Sequence, residues 1–346
     1  MKIIYTRDTR VPMFKFIYDD MNENFDVILV STLTELKKAL NENDDVDYIF
    51  GTMGVELEYW MPNTTIFKII LASFANVAKG DIKIRSGVKR VVRCLMYLHR
   101  EQSYEFKDMV TSNEIKIPVF DIYADSNDRP CVFNMTEHTY VWYVEKMSEP
   151  AFNKSPTPKK AIFAGMAASP KVFYPLPDVK PDIDVSFIGS TVHYRERKKY
   201  FEILEEMGHQ NNFTCKILES KPWGWKYSIE EINELYNRSK INISFAPTTT
   251  YGRRINLRTF EIPMAGGFQL MQHSPYIPLY FDEGKEIVSW KGKKDLEQKI
   301  KYYLSHEEER RKIAQAGYER AIKDHTWMKR IDYVIKEIEA CEGKKP

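Results

Sequence analysis

Short runs of β-branched and apolar residues recur along this chain with about one helix length between them, and this alternation constrains the fold more than any other feature. Residues 2–6 (KIIYT) and 26–31 (DVILVS) are two such runs. Tyr48 to Phe50 ends at Gly51, and Ile115 to Tyr123 (IKIPVFDIY) ends in the polar DSND. Between them lie helical patterns, such as the stretch that places Leu33, Leu36 and Leu40 on one face. Strands alternating with helices predict an α/β fold with a largely parallel sheet, in which ligands bind beyond the carboxyl ends of the strands.

The 346 residues suffice for two domains. Seven of the 17 prolines fall between Pro150 and Pro181. Proline fixes φ and removes a donor, so the window predicts an extended linker. Beyond it, DVSFIGS (Asp184 to Ser190), FTCKIL, INISFAP (Ile241 to Pro247) and GFQLM repeat the strand–helix pattern, and Ala314 to Ala340 is helical with a break near His325 and Thr326. The expected organisation is an N-terminal α/β domain over 1–150, a Pro-rich linker over 151–181, and a second α/β domain over 182–346 that ends in helices.

Charge separates these halves. Residues 1–150 carry 18 basic and 23 acidic side chains, whereas 151–346 carry 33 and 26. The overall +2 excludes a strongly basic nucleic-acid coat, and the basic half is where an anionic ligand is expected. Four scattered cysteines give neither a disulfide scaffold nor zinc spacing and suit a reducing cytoplasm. The apolar stretch Ile66 to Ala78 is interrupted by Lys68 and Asn76, too short for a membrane span.

Two segments carry the chemistry. YGRRINLRTFEIPMAGGFQL (251–270) sets Arg253, Arg254 and Arg258 before or at a helix start, with Glu261 one turn later. Guanidinium forks match phosphate oxygens, a helix start adds backbone donors, and a carboxylate one turn in can accept from ribose hydroxyls. The plainer alternative is a surface arginine cluster paired to Glu261. Gly266–Gly267 either lets the backbone pass close to a neighbour or ends the helix. In GSTVHYRER (189–197), a strand ending in Gly189–Ser190 opens into a helix with Arg195 and Arg197, an anion cradle that lacks the full P-loop pattern. Arg195 on a solvated helix face is the alternative.

The run from Asp184 to Arg330 resembles the C-terminal half of the CgeB-like spore-maturation glycosyltransferases, a GT-B group. DVSFIGS with Arg195–Glu196, ELYNRSKINISFAP, INLRTFEIPMAGGFQLM, YFDEGKEIVSW and the closing HTW carry the likeness. It implies two Rossmann-like domains facing across a cleft, the C-terminal one holding a nucleotide-sugar, with Arg258 on the diphosphate and Glu261 on the ribose. Many retaining members carry a glutamate where Arg253 stands, eight residues before Glu261, which leaves the stereochemical outcome open.

A shorter likeness is to the phage β-glucosyltransferases that modify hydroxymethylcytosine in DNA. RPCVFNMTEH (Arg129 to His138), the strand into Gly-Ser followed by arginine, and Leu257, Arg258 and Glu261 carry it. It implies that the base is an aspartate after a strand, here Asp121 or Asp125. A carboxylate at that strand end can take the acceptor's proton, although Asp125 to Asp128 also reads as a plain turn. Residues 79–100 hold Lys79, Lys83, Arg85, Lys89, Arg90, Arg93 and Arg100 against the one acid Asp81, a stripe that attracts a phosphate backbone or simply faces solvent.

Asp182 and Asp184 match a D-x-D cation motif but sit where a strand begins. No metal site is expected; His193 near Arg195 suits phosphate binding and Trp223, Trp225 and Tyr227 suit framing a base or sugar, with surface and packing roles as the default readings. The expected function is transfer of a hexosyl or pentosyl group from a UDP-sugar donor substrate to an acceptor hydroxyl, on a hydroxymethylated base of double-stranded phage-type DNA. A surface or spore glycan or protein is the acceptor that the CgeB likeness implies, and a non-catalytic polyanion-binding module is the reading from another class. The expected compartment is the cytoplasm.

Overall fold

A computed structural model of the protein describes residues 1–6, 12–51, 106, 108–123, 137–144, 158–189, 196–219, 227–249 and 252–343. The chain forms two compact units, Met1–Val144 with Ser148–Phe163 and Lys336–Pro346, and Glu145–Met147 with Ala164–Ile335.

The first unit contains β1 (Lys2–Tyr5), α1 (Pro12–Asn24), β2 (Asp26–Leu29), α2 (Leu33–Glu42), β3 (Tyr48–Phe50), β4 (Val119–Tyr123), β5 (Thr139–Tyr143) and β6 (Lys160–Phe163). The strands pair in parallel in the order β2-β1-β3-β4-β5-β6, so the chain changes direction across the sheet between β1 and β3. Thr32 and Glu35 close a capping box that starts α2, whose Leu33, Leu36 and Ala39 are buried, with Leu40 packed at the edge of the same core. Tyr5, Phe50 and Phe120 stand side by side on adjacent strands, with ring centroids 5.1 and 4.9 Å apart. β6 lies inside the Pro-rich window. KAIF is a proline-free interval between Pro158 and Pro170, so it keeps the amides that a sheet edge needs.

The second unit contains β7 (Ile183–Gly189), α3 (Glu196–Asn211), β8 (Cys215–Glu219), α4 (Ile229–Arg238), β9 (Ser239–Ser244), the two-residue strands β10 (Thr248–Thr249) and β11 (Gly252–Arg253), α5 (Arg258–Met264), β12 (Gln269–Gln272), β13 (Val288–Trp290), α6 (Gly292–Ser305) and α7 (Glu307–Asp324). Helix α8 (Trp327–Cys341) belongs to this unit as far as Ile335. Its sheet is parallel in the order β13-β12-β9-β7-β8, with the switch of direction between β7 and β9. Phe187, Phe201, Phe245 and Trp290 fill the core against α3 and α6.

Asp182 and Asp184 fix the start of β7. Asp182 takes both arms of Arg238, at 2.8 and 2.6 Å, and Asp184 pairs with Lys240 at 2.6 Å while accepting from the Thr214 amide. Residues 173–176 are clamped onto α4 by side chains that replace a sheet partner. Asn233 both accepts from the Tyr174 amide and donates to its carbonyl, and Asn237 accepts from the Leu176 amide.

Helices α7 and α8 meet at His325, buried among Phe260, Tyr280 and Phe281. Arg330 Nη2 lies 2.8 Å from Nδ1 and can only donate, so Nδ1 accepts and Nε2–H donates to the Tyr280 carbonyl at 2.7 Å. Burial first, and then the charge of Arg330, push the imidazole down to about 4. A Cβ on Gly317 of α7 would collide with the Glu286 carbonyl, so the helix packs here only through glycine.

Two stability measurements check these contacts. Gly317→Ala should lower the unfolding free energy by about 1–3 kcal/mol in urea titrations, since backbone has to yield. Between the ordinary histidine value of 6.5 and the folded value of about 4, the unfolded chain binds the proton and the folded chain does not. Stability is therefore lost as pH falls through that window, by about 3 kcal/mol from this group. In His325→Gln the urea midpoint should fall less steeply between pH 6.5 and 4 than in the wild type.

Candidate functional site

In the second unit the carboxyl ends of β7 and β9 border the switch point, the place where open α/β sheets take ligands. Gly189 ends β7 there. A Cβ on it would stand 2.7 Å from Phe187 Cζ and 3.4 Å from both Arg197 Nη1 and Arg258 Nη2. Glycine thus lets two guanidinium groups from different helices close on one point of backbone.

Each arginine is held by a different device. Arg197, on the first turn of α3, is buried with its guanidinium 5.8 and 5.4 Å from the ring centroids of Phe187 and Phe245. Cation–π attraction offsets the loss of water there. Arg258 is the first residue of α5, and its carbonyl accepts from Gln269 Nε2 at 3.2 Å. Its Nε is buried and has no hydrogen-bond partner. A buried donor without an acceptor is costly in a native site.

Glu261 lies one turn into α5 and is buried. Its Oε2 accepts from the Tyr236 hydroxyl at 3.2 Å. Burial raises its carboxyl above the usual carboxylate range, opposed by the charge of Arg258. Burial also raises the Tyr236 phenol well above its usual value, with Glu261 adding to the shift and Arg258 opposing it. Helix α5 then closes tightly. Gly266 adopts φ +74°, its amide donates to Pro263 O at 2.9 Å, and the Gly267 amide donates to Ile262 O at 3.0 Å. A Cβ on Gly267 would lie 2.8 Å from Asn242 Nδ2, so the pair serves both chain reversal and close approach.

Of the residues that the sequence points to, Gly189, Arg258 and Glu261 come together with Arg197. Arg253 Nη1 donates to the Ala246 carbonyl at 3.1 Å and lies 3.5 Å from Glu196, and the Arg254 amide donates to the Pro247 carbonyl. Asp121 is the third of five residues in β4, opposite Val141 on β5. Ser190, Arg195, Asp125 and the 79–100 stripe lie outside the described residues. Sequence reasoning passed over one member, Tyr236, and named Arg197 without setting it apart from Arg195. Arg197 stands near Arg195 in the segment GSTVHYRER, and the rings of Phe187 and Phe245 are what single it out. Tyr236 follows Ile232 and Leu235 on the buried face of α4, a spacing that marks it as core. Among the described residues no three His, Cys, Asp or Glu side chains gather as metal ligands would, and no helix is long and apolar enough to cross a membrane.

Residues 180–336 match the family described as "Glycosyl transferase-like". No curated protein matches the sequence. Several solved structures resemble the chain along nearly its whole length. Sucrose-phosphate synthase from Thermosynechococcus elongatus is 10% identical with TM-score 0.51, covering 98% of this chain and 99% of its own. Anabaena HepE in complex with UDP is 10% identical with TM-score 0.51, covering 98% and 100%. A glycosyltransferase from Rickettsia africae is 9% identical with TM-score 0.50, covering 99% of each. The chain has the GT-B fold, and this fold and the glycosyl transferase-like match over 180–336 support a glycosyltransferase.

Proposed function

We propose that the protein moves a sugar from a uridine diphosphate sugar to an acceptor hydroxyl, with Arg258 and Arg197 on the donor's diphosphate at Gly189 and Glu261 on its ribose. One observation carries this reading: two guanidinium groups converge on a glycine at the end of β7, and Arg258 Nε is buried without a partner. Guanidinium donors pair with phosphate oxygens in planar forks. Cleavage of the sugar–phosphate bond adds negative charge to the departing diphosphate, and cations already fixed beside it stabilise that charge as it develops. Arg253 spends one donor on Ala246 and so braces the loop before α5; the sequence assigns Arg254, Ser190 and Arg195 to the same diphosphate. The likeness to HepE, whose structure holds UDP, supports uridine as the nucleoside.

For the acceptor, the reading is a hydroxymethylated base in double-stranded DNA. The seven basic residues between Lys79 and Arg100 against the single acid Asp81 support it. Asp121 or Asp125 takes the hydroxyl proton as the oxygen attacks the anomeric carbon.

Arg258→Ala should weaken UDP binding about 10- to 100-fold in calorimetry, the loss expected for a charge-assisted donor. Unchanged affinity would place the diphosphate elsewhere. Incubation with UDP-sugars and hydroxymethylated DNA, followed by mass spectrometry of the nucleosides, should reveal a hexose or pentose adduct. Donor turnover with glycan or protein acceptors and none on DNA would transfer the activity to the other acceptor class.

A further inference from the structure

We propose that Tyr236 is a positioning residue of the donor site: its hydroxyl fixes Glu261 in one orientation, so that the site selects a sugar ring bearing free hydroxyls beside the diphosphate. The inference rests on Glu261 being the ribose ligand.

The phenol is set by the sheet rather than by a loop. Tyr236 is buried near the end of α4, with its ring centroid 6.0 Å from that of Phe173. Its carbonyl accepts from Asn242 Nδ2 at 3.1 Å, and Asn242 Oδ1 in turn accepts from Ser186 Oγ at 3.1 Å. This chain runs from β7 through β9 to the end of α4. Glu261 belongs to a separate element, α5, whose closing Gly267 packs on the same Asn242 amide. One side chain therefore holds the backbone of the residue that bears the donor hydroxyl and packs against the turn that closes the helix bearing the acceptor carboxylate. Since burial and the charge of Glu261 hold the phenol well above its ordinary value, it remains a donor at any working pH. A carboxylate offers about four acceptor positions. Tyr236 occupies one on Oε2, and the restraint orients the others toward a vicinal pair of hydroxyls. Without that restraint, the carboxylate still carries charge but no longer presents a fixed pair of acceptors.

The test is calorimetry on the full chain with two probes, UDP and 2′,3′-dideoxyuridine diphosphate. The wild type should prefer UDP by tenfold or more. Tyr236→Phe should lose about tenfold in UDP affinity, the size of one hydrogen bond to a charged group, and nothing toward the dideoxy probe. Glu261→Gln should show the same selective loss, and the double variant should be no worse than Glu261→Gln alone. Glu261→Asp, which withdraws the carboxylate from an intact Tyr236, should also lose the preference and provides the test if Tyr236→Phe does not fold. A preference retained in Tyr236→Phe and lost in Glu261→Gln overturns the role of Tyr236 alone, as does an equal loss toward both probes. A wild type that binds both probes equally overturns the ribose role of Glu261 and the inference with it.

Discussion

Two positive charges brought to one point of backbone are the constraint on which the second unit is organised. Arg197 and Arg258 carry like charges on separate helices and repel each other. Aromatic faces from β7 and from the residue after β9 take up Arg197. Arg258 has Glu261 one turn away as its counter-charge. Gly189 supplies the remaining condition, since any side chain there would meet Phe187 before either arginine. The aromatic core and the charged rim are thus one construction: Phe187 and Phe245 pack the sheet with one face and carry a cation with the other.

Asn242 plays the matching part on the other side of the sheet. Its amide ties Ser186, the end of α4 and the turn after α5 to β9. Buried polar networks of this kind are costly when one member is missing and rigid when all are present. The helices bearing Tyr236 and Glu261 are therefore positioned by a strand interior, where an ångström of drift is hard to obtain, rather than by loops.

The architecture was legible wherever periodicity alone decides it. The strands at 2–5, 26–29, 183–189 and 239–244 and the break between α7 and α8 follow from local pattern, and both parallel sheets are present. β6 was hidden because prolines on either side of KAIF dominate the composition of its window. Within the site, Arg258 and Glu261 stood out because a helix start and a one-turn spacing are sequence-local signals. Tyr236 did not, because its standing depends on a carboxylate from another element, and Arg197 could not be told from Arg195 until the rings around it were seen. The D-x-D pair shows the converse. Its spacing suits a cation, yet Arg238 and Lys240 occupy both carboxylates.

The last turns of α8 belong to the first unit, where Lys160 holds Glu337 at 2.8 Å and Tyr48 donates to Glu339 at 3.3 Å. The second unit is in this sense spliced into the first. Domains fold as units during synthesis, the earlier part first. Here that order is inverted at the end: all residues of the second unit have emerged by Ile335, whereas the first still waits for its final segment. The ribosome thus finishes the second unit before the unit that it began.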